Sequence, residues 1–98
     1  MVNVKAKKLF LVVAYDISNS NKRNKISKLL EKHGTRINLS VFECMITKAK
    51  FLQLKTKIEP LIDNKTDSIV YYPICVDCYC KIERFPDKSL PVDQVFVV

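Results

Sequence analysis

Residues 9–25 read LFLVVAYD, ISNSN and KRNK, which are an apolar run, a polar turn and a basic segment. Six apolar residues open the run, a length typical of a strand buried on both faces and too short to cross a membrane. Asp16 closes it, so a rigid element holds this carboxylate at the surface. Metal-dependent and acid–base sites are often built in this way. Asp16 is therefore the first candidate for chemistry.

The length and composition of the chain predict one globular domain over residues 1–98. Its 98 residues lie within the usual range for a domain, and its hydrophobic content of 48% is that of a folded protein. The first residues loosely imitate a signal peptide, with lysines ahead of the apolar run. That run is short, however, and Asp16 stands where a small-residue cleavage site belongs. We expect a cytoplasmic protein that does not enter the membrane.

The net charge of +7 is concentrated at one end of the sequence. Up to Arg36 there are nine basic residues against two acidic ones, whereas the remainder has eight of each. A one-sided basic field indicates a polyanionic partner, and nucleic acid is the first candidate. Alternatively, the protein binds DNA weakly and without a biological role, as many basic proteins do. Composition alone does not distinguish these two interpretations.

An amphipathic first helix is predicted from Asn21 to His33. We expect Ser18 or Ser20 to cap its start and Gly34, in a left-handed conformation, to end it. The apolar positions follow helical spacing: Ile26, Leu29, Leu30 and His33.

The first turn of this helix carries the wrong charge for its own stability. Lys22, Arg23 and Lys25 lie at the positive end of the helix dipole, where acidic residues are preferred. A helix start that receives phosphate would account for the three cations. Three solvated surface cations with a small energetic penalty are the alternative.

The remaining elements complete an α+β pattern. After Gly34 the sequence predicts two short strands with a break at Ser40, or one long strand with a bulge. Thr47 is expected to cap a second helix that stops or kinks at Pro60. A strand over DSIVYYPIC (67–75) follows. The order strand, helix, strand, strand, helix, strand is that of the ferredoxin-like βαββαβ fold.

Two further strands are expected near the carboxyl terminus, KIERF (81–85) and QVFVV (94–98). An apolar strand at a terminus is hard to leave exposed, because a flat apolar edge pairs with other chains. The strand either closes its own sheet or adds to the sheet of a partner subunit. We favour the second alternative and interpret 86–98 as a linker and an extra C-terminal strand that packs on the partner subunit of a homodimer.

The four cysteines raise the question of a zinc site. CVDCYC contains Cys75, Cys78 and Cys80, and Cys44 lies far from them in sequence. A structural zinc site needs a second separated pair, which this spacing lacks. We interpret the thiols as small apolar side chains and His33 as a packing residue or a C-terminal helix cap.

The combined motifs resemble the small CRISPR-associated adaptation protein family, the second core CRISPR protein and partner of the CRISPR integrase. They are YDI at 15–17, a basic helix start, R-x-x-x-S-V-F-E-C at 36–44 and a tyrosine strand that ends in proline. The resemblance implies a ferredoxin-like homodimer in which Asp16 faces its symmetry mate across a cleft. Members are described as metal-dependent nucleases of RNA or DNA, and as the non-catalytic centre of a spacer-inserting complex. Lys25 stands where many members have arginine, which keeps the charge but loses bidentate phosphate geometry.

Two functional hypotheses follow from the residues and the resemblance. One is an endonuclease in which Asp16 and Tyr15 are catalytic and paired Asp16 carboxylates hold Mg²⁺ or Mn²⁺. The other is a purely structural module for duplex DNA, in which Asp16 accepts N–H groups from the ISNSN turn. Single-stranded RNA is the other nucleic acid that the resemblance implies. The nucleic-acid-binding residues are predicted to be Lys22, Arg23, Lys25, Arg36, Ser40 and Phe42.

Overall fold

A four-stranded antiparallel sheet carries two helices on one face, as the sequence predicts. The computed structural model describes residues 7–86. The strands lie in the order β2-β3-β1-β4, so the ferredoxin-like α+β fold is confirmed. The elements are β1 (Lys8–Asp16), α1 (Ser20–Glu31), β2 (Gly34–Asn38), β3 (Val41–Thr47), α2 (Lys48–Ile58), a 3₁₀ turn (Glu59–Leu61), β4 (Ser68–Ile74) and α3 (Val76–Cys80).

The core lies between the sheet and the helices α1 and α2. Side chains alternate between the two faces of a strand, so β1 sends Leu11, Val13 and Tyr15 into the core, where all three are buried. The other members of the same cluster come from both helices, from β3 and from the loop after β1: Ile17, Ile26, Leu30, Phe42, Cys44, Ile46, Leu54 and Ile58.

The opposite side of the sheet is only partly covered. Val12 and Ala14 are half-buried there, and their partners on β4, Tyr72 and Val70, are 50% and 42% exposed. We call these four residues the open face. The prediction that β1 is buried on both faces is therefore wrong for this side, except at Phe10, which the ring of Tyr79 covers at a centroid distance of 4.7 Å.

Both predicted ends of the first helix are wrong. Asn19 is the cap, and its side chain accepts the backbone N–H of Lys22 at 3.0 Å. Ser20 is already the first helical residue, and Lys32 closes the helix with an ordinary right-handed backbone. Gly34 instead opens β2. In residues 7–86, no glycine has a positive φ angle.

Gly34 is required by a close approach of two strands. A Cβ atom at this position would lie 2.1 Å from the carbonyl oxygen of Glu43 and 2.7 Å from the Cα of Cys44. Only a residue without a side chain allows β2 to meet β3 here.

The second half of the fold follows the predicted signals closely. Thr47 caps α2 by accepting the N–H of Lys50 at 3.2 Å. Pro60 follows the end of α2 at Ile58, and the chain continues as a 3₁₀ turn. Of the two alternatives for this segment, the pair of short strands joined by a tight turn is confirmed, and their register shifts between Arg36 and Asn38.

KIERF is not a strand, which corrects the sequence prediction. A short helix, α3, precedes it because Tyr79 anchors that segment on Phe10. Residues 81–86 form neither a strand nor a helix, and Arg84 forms an ion pair with Glu43 of β3 at 2.8 Å. Both side chains are largely buried, at 16% and 13% exposed, so this contact fixes the segment in place. QVFVV and nearly all of the predicted linker and strand at 86–98 lie outside the described residues. Within residues 7–86, no helix combines the length and apolar character that crossing a membrane requires.

Candidate nucleic-acid interface

A cavity of about 530 Å³ opens at the carboxyl end of β1. It brings together five of the residues that the sequence predicts for the site, from three separate parts of the chain. Among the described residues that line it, Asp16 is the only acidic one, and the others are neutral or basic. The lining residues are Tyr15, Asp16, Ile17, Arg23, Asn24, Ser27, Arg36, Leu39 and Ser40.

Tyr15 joins the end of β1 to the turn between β2 and β3. Its hydroxyl donates to the carbonyl of Leu39 at 3.3 Å, and its backbone N–H donates to the carbonyl of Ser40 at 3.0 Å. The side chain is only 5% exposed. Tyr15 therefore holds Ser40 against the cavity, and its hydroxyl is engaged within the fold.

Arg23 is fixed at the rim of the cavity by the chain just before the helix. Its Nη1 donates to the carbonyls of Ile17 at 2.9 Å and Ser18 at 3.5 Å. These bonds satisfy carbonyls that the strand leaves behind as it ends. The contact supplies a structural reason for one cation in the first turn of α1, beside the phosphate-binding reason inferred from sequence.

Arg36 reaches the cavity from β2 over the ring of Phe42. It donates to the hydroxyl of Ser27, lies 3.9 Å from the carboxylate of Glu31, and its guanidinium carbon is 5.5 Å from the Phe42 centroid. Phe42 itself is fully buried beside Tyr15. The prediction that Phe42 contacts nucleic acid is corrected, since its ring supports Arg36 from below.

Asp16 has a free carboxylate. It is exposed, and among residues 7–86 it makes no hydrogen bond and no ion pair. Alternation along β1 puts Asp16 on the same side of the sheet as Val12 and Ala14. Asp16 therefore lies where the cavity and the open face meet.

Asp67 performs the structural task that the sequence analysis considered for Asp16. Its Oδ1 accepts the backbone N–H and the hydroxyl of Ser18 at 3.1 and 3.2 Å, and its Oδ2 accepts the N–H of Asp63 at 3.0 Å. These donors, with the Asp63 N–H first, hold the pKa of Asp67 below its ordinary value. Sequence reasoning missed this residue because it lies 49 positions from Ser18, and nothing local marks the pairing.

Lys22 and Lys25 extend the basic surface beyond the cavity. Neither belongs to its lining, and Lys25 is fully on the exposed side of α1. Lys22 is half-exposed, and its backbone N–H is used by the Asn19 cap. Their ammonium groups are therefore available to a ligand that is longer than the cavity.

The donor chemistry near Asp16 suits a hard divalent cation only if another chain contributes. In the part of the chain that the structure describes, no three His, Cys, Asp or Glu side chains gather in a geometry suited to a metal ion. Mg²⁺ is commonly bound through one or two carboxylates, with waters and substrate phosphates completing its shell. One Asp16 from each of two copies fits that pattern.

The cysteines differ sharply in environment. Burial raises the pKa of Cys44 to about 11. Cys75 is exposed and caps α3, where its Sγ accepts the N–H of Cys78 at 3.4 Å. That hydrogen bond lowers the pKa of Cys75.

We expect Cys75 to be alkylated first by iodoacetamide at neutral pH and Cys44 to react only after denaturation. The thiolate is the reacting species, and a lowered pKa increases its fraction while burial removes both thiolate and access. Peptide mass spectrometry over a time course measures the order. Rapid labelling of Cys44 in the native protein would contradict the buried position of β3.

A family model described as CRISPR associated protein Cas2 matches residues 9–82. A Synechocystis protein named CRISPR-associated endoribonuclease Cas2 3 is 40% identical over 88 residues, which span 88% of this chain and 96% of that protein. A Methanocaldococcus jannaschii protein named CRISPR-associated endoribonuclease Cas2 is 32% identical over 87 residues, which span 89% of this chain and 75% of that protein.

Solved structures share the fold. The crystal structure of Streptococcus pyogenes Cas2 superposes with a TM-score of 0.68 at 31% identity, and the match covers 76% of this chain and 96% of that one. A chain from a structure described as a partial Cas6-RT-Cas1–Cas2 complex gives a TM-score of 0.68 at 29% identity, with 87% and 95% covered.

Proposed function

Since the chain belongs to the Cas2 family, we propose that it acts in CRISPR adaptation as a basic homodimer that binds the backbone of nucleic acid. The observation that carries this proposal is the cavity at the end of β1. It sets two anchored arginines, Arg23 and Arg36, beside Ser40, and the exposed Lys25 extends the same charge along α1. Cations and a hydroxyl without a base-reading element suit contact with phosphates rather than with sequence.

The open face supports the homodimer. Tyr72 and Val70 are about half exposed next to Val12 and Ala14, and an apolar patch of this kind on a small chain is typical of an interaction surface. Face-to-face pairing of two sheets would cover it. Asp16 lies at the end of that face, so such a dimer would bring two Asp16 carboxylates into one interface.

We further propose that paired Asp16 side chains hold Mg²⁺ or Mn²⁺ and that the dimer cleaves phosphodiesters. The support is the free carboxylate of Asp16 and the similarity to two proteins named CRISPR-associated endoribonuclease, at 40% and 32% identity. The bound cation would stabilise charge on the phosphoryl group. Arg23 and Arg36 would bind the neighbouring phosphates, and Tyr15 would hold the end of β1 in position. A purely structural DNA-binding module remains the second candidate, favoured by the engagement of the Tyr15 hydroxyl within the fold.

An integrase is the proposed protein partner. The structural match to a chain from a complex that contains Cas1 supports an assembly of this kind. The test mixes the purified protein with the cognate integrase and a duplex substrate and measures integration. We expect integration to require the basic dimer.

Duplex DNA binding is expected to weaken steeply with salt. Each cation that neutralises a phosphate releases counterions, so a plot of log K against log salt is linear with a slope set by the number of contacts. We expect Lys25→Ala to reduce the magnitude of that slope by about one. Lys25 is preferred to Arg23 for this test because Arg23 also holds the turn after β1. Fluorescence anisotropy over a salt series measures the slope.

The matched control is Lys81→Ala, which removes the same charge from an exposed position outside the cavity. It should leave the slope close to that of the wild type. A shallow slope for the wild type, or equal effects of the two substitutions, would argue against backbone contact by the first helix.

A further inference from the structure

A second basic surface lies at the other end of β1 from Asp16. Two adjoining cavities of about 200 and 270 Å³ share the residues Lys32, His33 and Lys50. Lys57 completes the first cavity and Lys8 the second. The two cavities therefore bring together one histidine and four lysines, which come from the end of α1, from α2 and from the start of β1, although the sequence spreads the lysines over fifty positions. We call these two cavities the lysine–histidine site.

Among residues 7–86, no acidic side chain lines this site. The other lining residues are neutral: Leu29, Met45, Ile46, Thr47, Gln53 and Leu54. Every charged group that lines the two cavities with His33 is thus a cation, whether it comes from α1, α2 or β1. Surface lysines are normally interspersed with acids, so an unbalanced group of this kind creates a local positive potential that attracts anions.

The same lysines change the pKa of the His33 imidazole. Burial and the charges of Lys50, Lys32 and Lys57 lower the pKa of His33, so it is neutral near pH 7 and one ring nitrogen remains a hydrogen-bond donor. A neutral donor in a cavity lined by lysines suits an oxygen-rich anion. The amino end of α2, whose first turn contains no acidic residue, lies at the same place, because Thr47 and Lys50 line the second cavity.

We propose that the lysine–histidine site binds phosphates of the nucleic-acid backbone, as a contact separate from the cavity at Asp16. This inference rests on the proposed function, since it takes the ligand to be nucleic acid. The two sites lie at opposite ends of β1, whose nine residues span about 26 Å. A duplex is long enough to touch both, whereas a mononucleotide is not.

The test uses the only histidine of the chain as a reporter. The full-length protein is titrated in NMR with mixed-sequence duplex DNA, and separately with inorganic phosphate, while the His33 ring signals are followed over pH. Phosphates placed among the lysines stabilise the imidazolium, so saturating duplex is expected to raise the pKa of His33. In a separate salt series, the double variant Lys50→Ala/Lys57→Ala is expected to reduce the magnitude of the salt slope of duplex binding by about two.

The matched control combines Lys65→Ala with Lys81→Ala, which removes two charges from exposed positions outside both cavities. It should leave the slope and the His33 response unchanged. If the duplex binds through Lys25 but neither His33 nor the double variant responds, the proposed function stands and this site is overturned. A response to inorganic phosphate without one to the duplex would assign the site to a free anion and overturn it as well. Absence of any duplex binding would overturn both proposals.

Discussion

Asp16→Asn protein is expected to lose at least about 100-fold of its Mg²⁺-dependent cleavage of RNA or DNA while binding duplex DNA as well as the wild type does. Outer-shell partners of metal ligands already cost 10- to 100-fold when they are changed, and a ligand should cost no less. The Asp16 side chain is exposed, and within residues 7–86 its carboxylate makes no hydrogen bond or ion pair, so its replacement should leave the fold intact. The substitution also removes a negative charge from the cavity, so the affinity for phosphate should not fall.

The assay compares wild type and Asp16→Asn in Mg²⁺, in Mn²⁺ and in chelator, with affinity measured in parallel. Asp77→Asn is the matched control, because Asp77 is an exposed carboxylate on α3 that lines none of the cavities described above. Full cleavage by Asp16→Asn in chelator would remove the metal mechanism. If cleavage is lost and integration with added integrase persists, binding is the biological activity and the nuclease is dispensable.

Most of the fold could be read from sequence because its signals are local. The apolar run before Asp16, the Thr47 cap and the stop at Pro60 each act within a few residues of where they stand. The ends of α1 were predicted wrongly because Ser18, Asn19 and Ser20 are all competent caps, and only the geometry of the turn selects Asn19. Pattern alone does not rank neighbouring polar residues.

Contacts between distant segments account for what the sequence could not predict. Tyr79 turns a cysteine-rich stretch into a helix by packing on Phe10, and Arg84 draws the next residues over β3 to Glu43. Phe10 and Glu43 each lie some forty or more positions from the residue they contact, so no local pattern indicates either contact. The open face could not be predicted either, because a strand that is covered on one side and a strand that is buried on both sides have equally apolar sequences.

The candidate site divides in a similar way. The basic first turn of α1 and the carboxylate at the end of β1 were visible in the sequence because the chain runs directly from one to the other. The support beneath them was not visible, since it comes from Arg36 over Phe42 and from Asp67 across the loop after β1. The lysine–histidine site was hidden for a related reason, because a charge count divided at Arg36 separates Lys32 from Lys50 and Lys57.

Gly34→Ala is expected to lower the free energy of unfolding by about 3 kcal/mol, at the upper end of the usual cost of overpacking. The new Cβ would lie 2.1 Å from the Glu43 carbonyl oxygen and 2.7 Å from the Cα of Cys44. Both are backbone atoms, so no side-chain rotation relieves the clash, and β2 must move away from β3. Arg36 lies two residues along β2, so the same movement should withdraw it from Ser27 and weaken nucleic-acid binding. Urea denaturation at fixed protein concentration measures the stability, and the fixed concentration is needed because dimerisation would add to it.

Thr35→Ala is the matched control on the same strand. Thr35 is exposed and contributes no atom to the cavity at Asp16, so its replacement should change stability by no more than about 0.5 kcal/mol. If Gly34→Ala unfolds at the wild-type urea concentration, the close approach of β2 and β3 at this residue is wrong, and so is the position of Arg36 derived from it. If stability falls while nucleic-acid binding by the remaining folded protein is unchanged, β2 is tightly packed as described but Arg36 contributes nothing to the interface. The two measurements together therefore separate the structural requirement for Gly34 from the proposed task of Arg36.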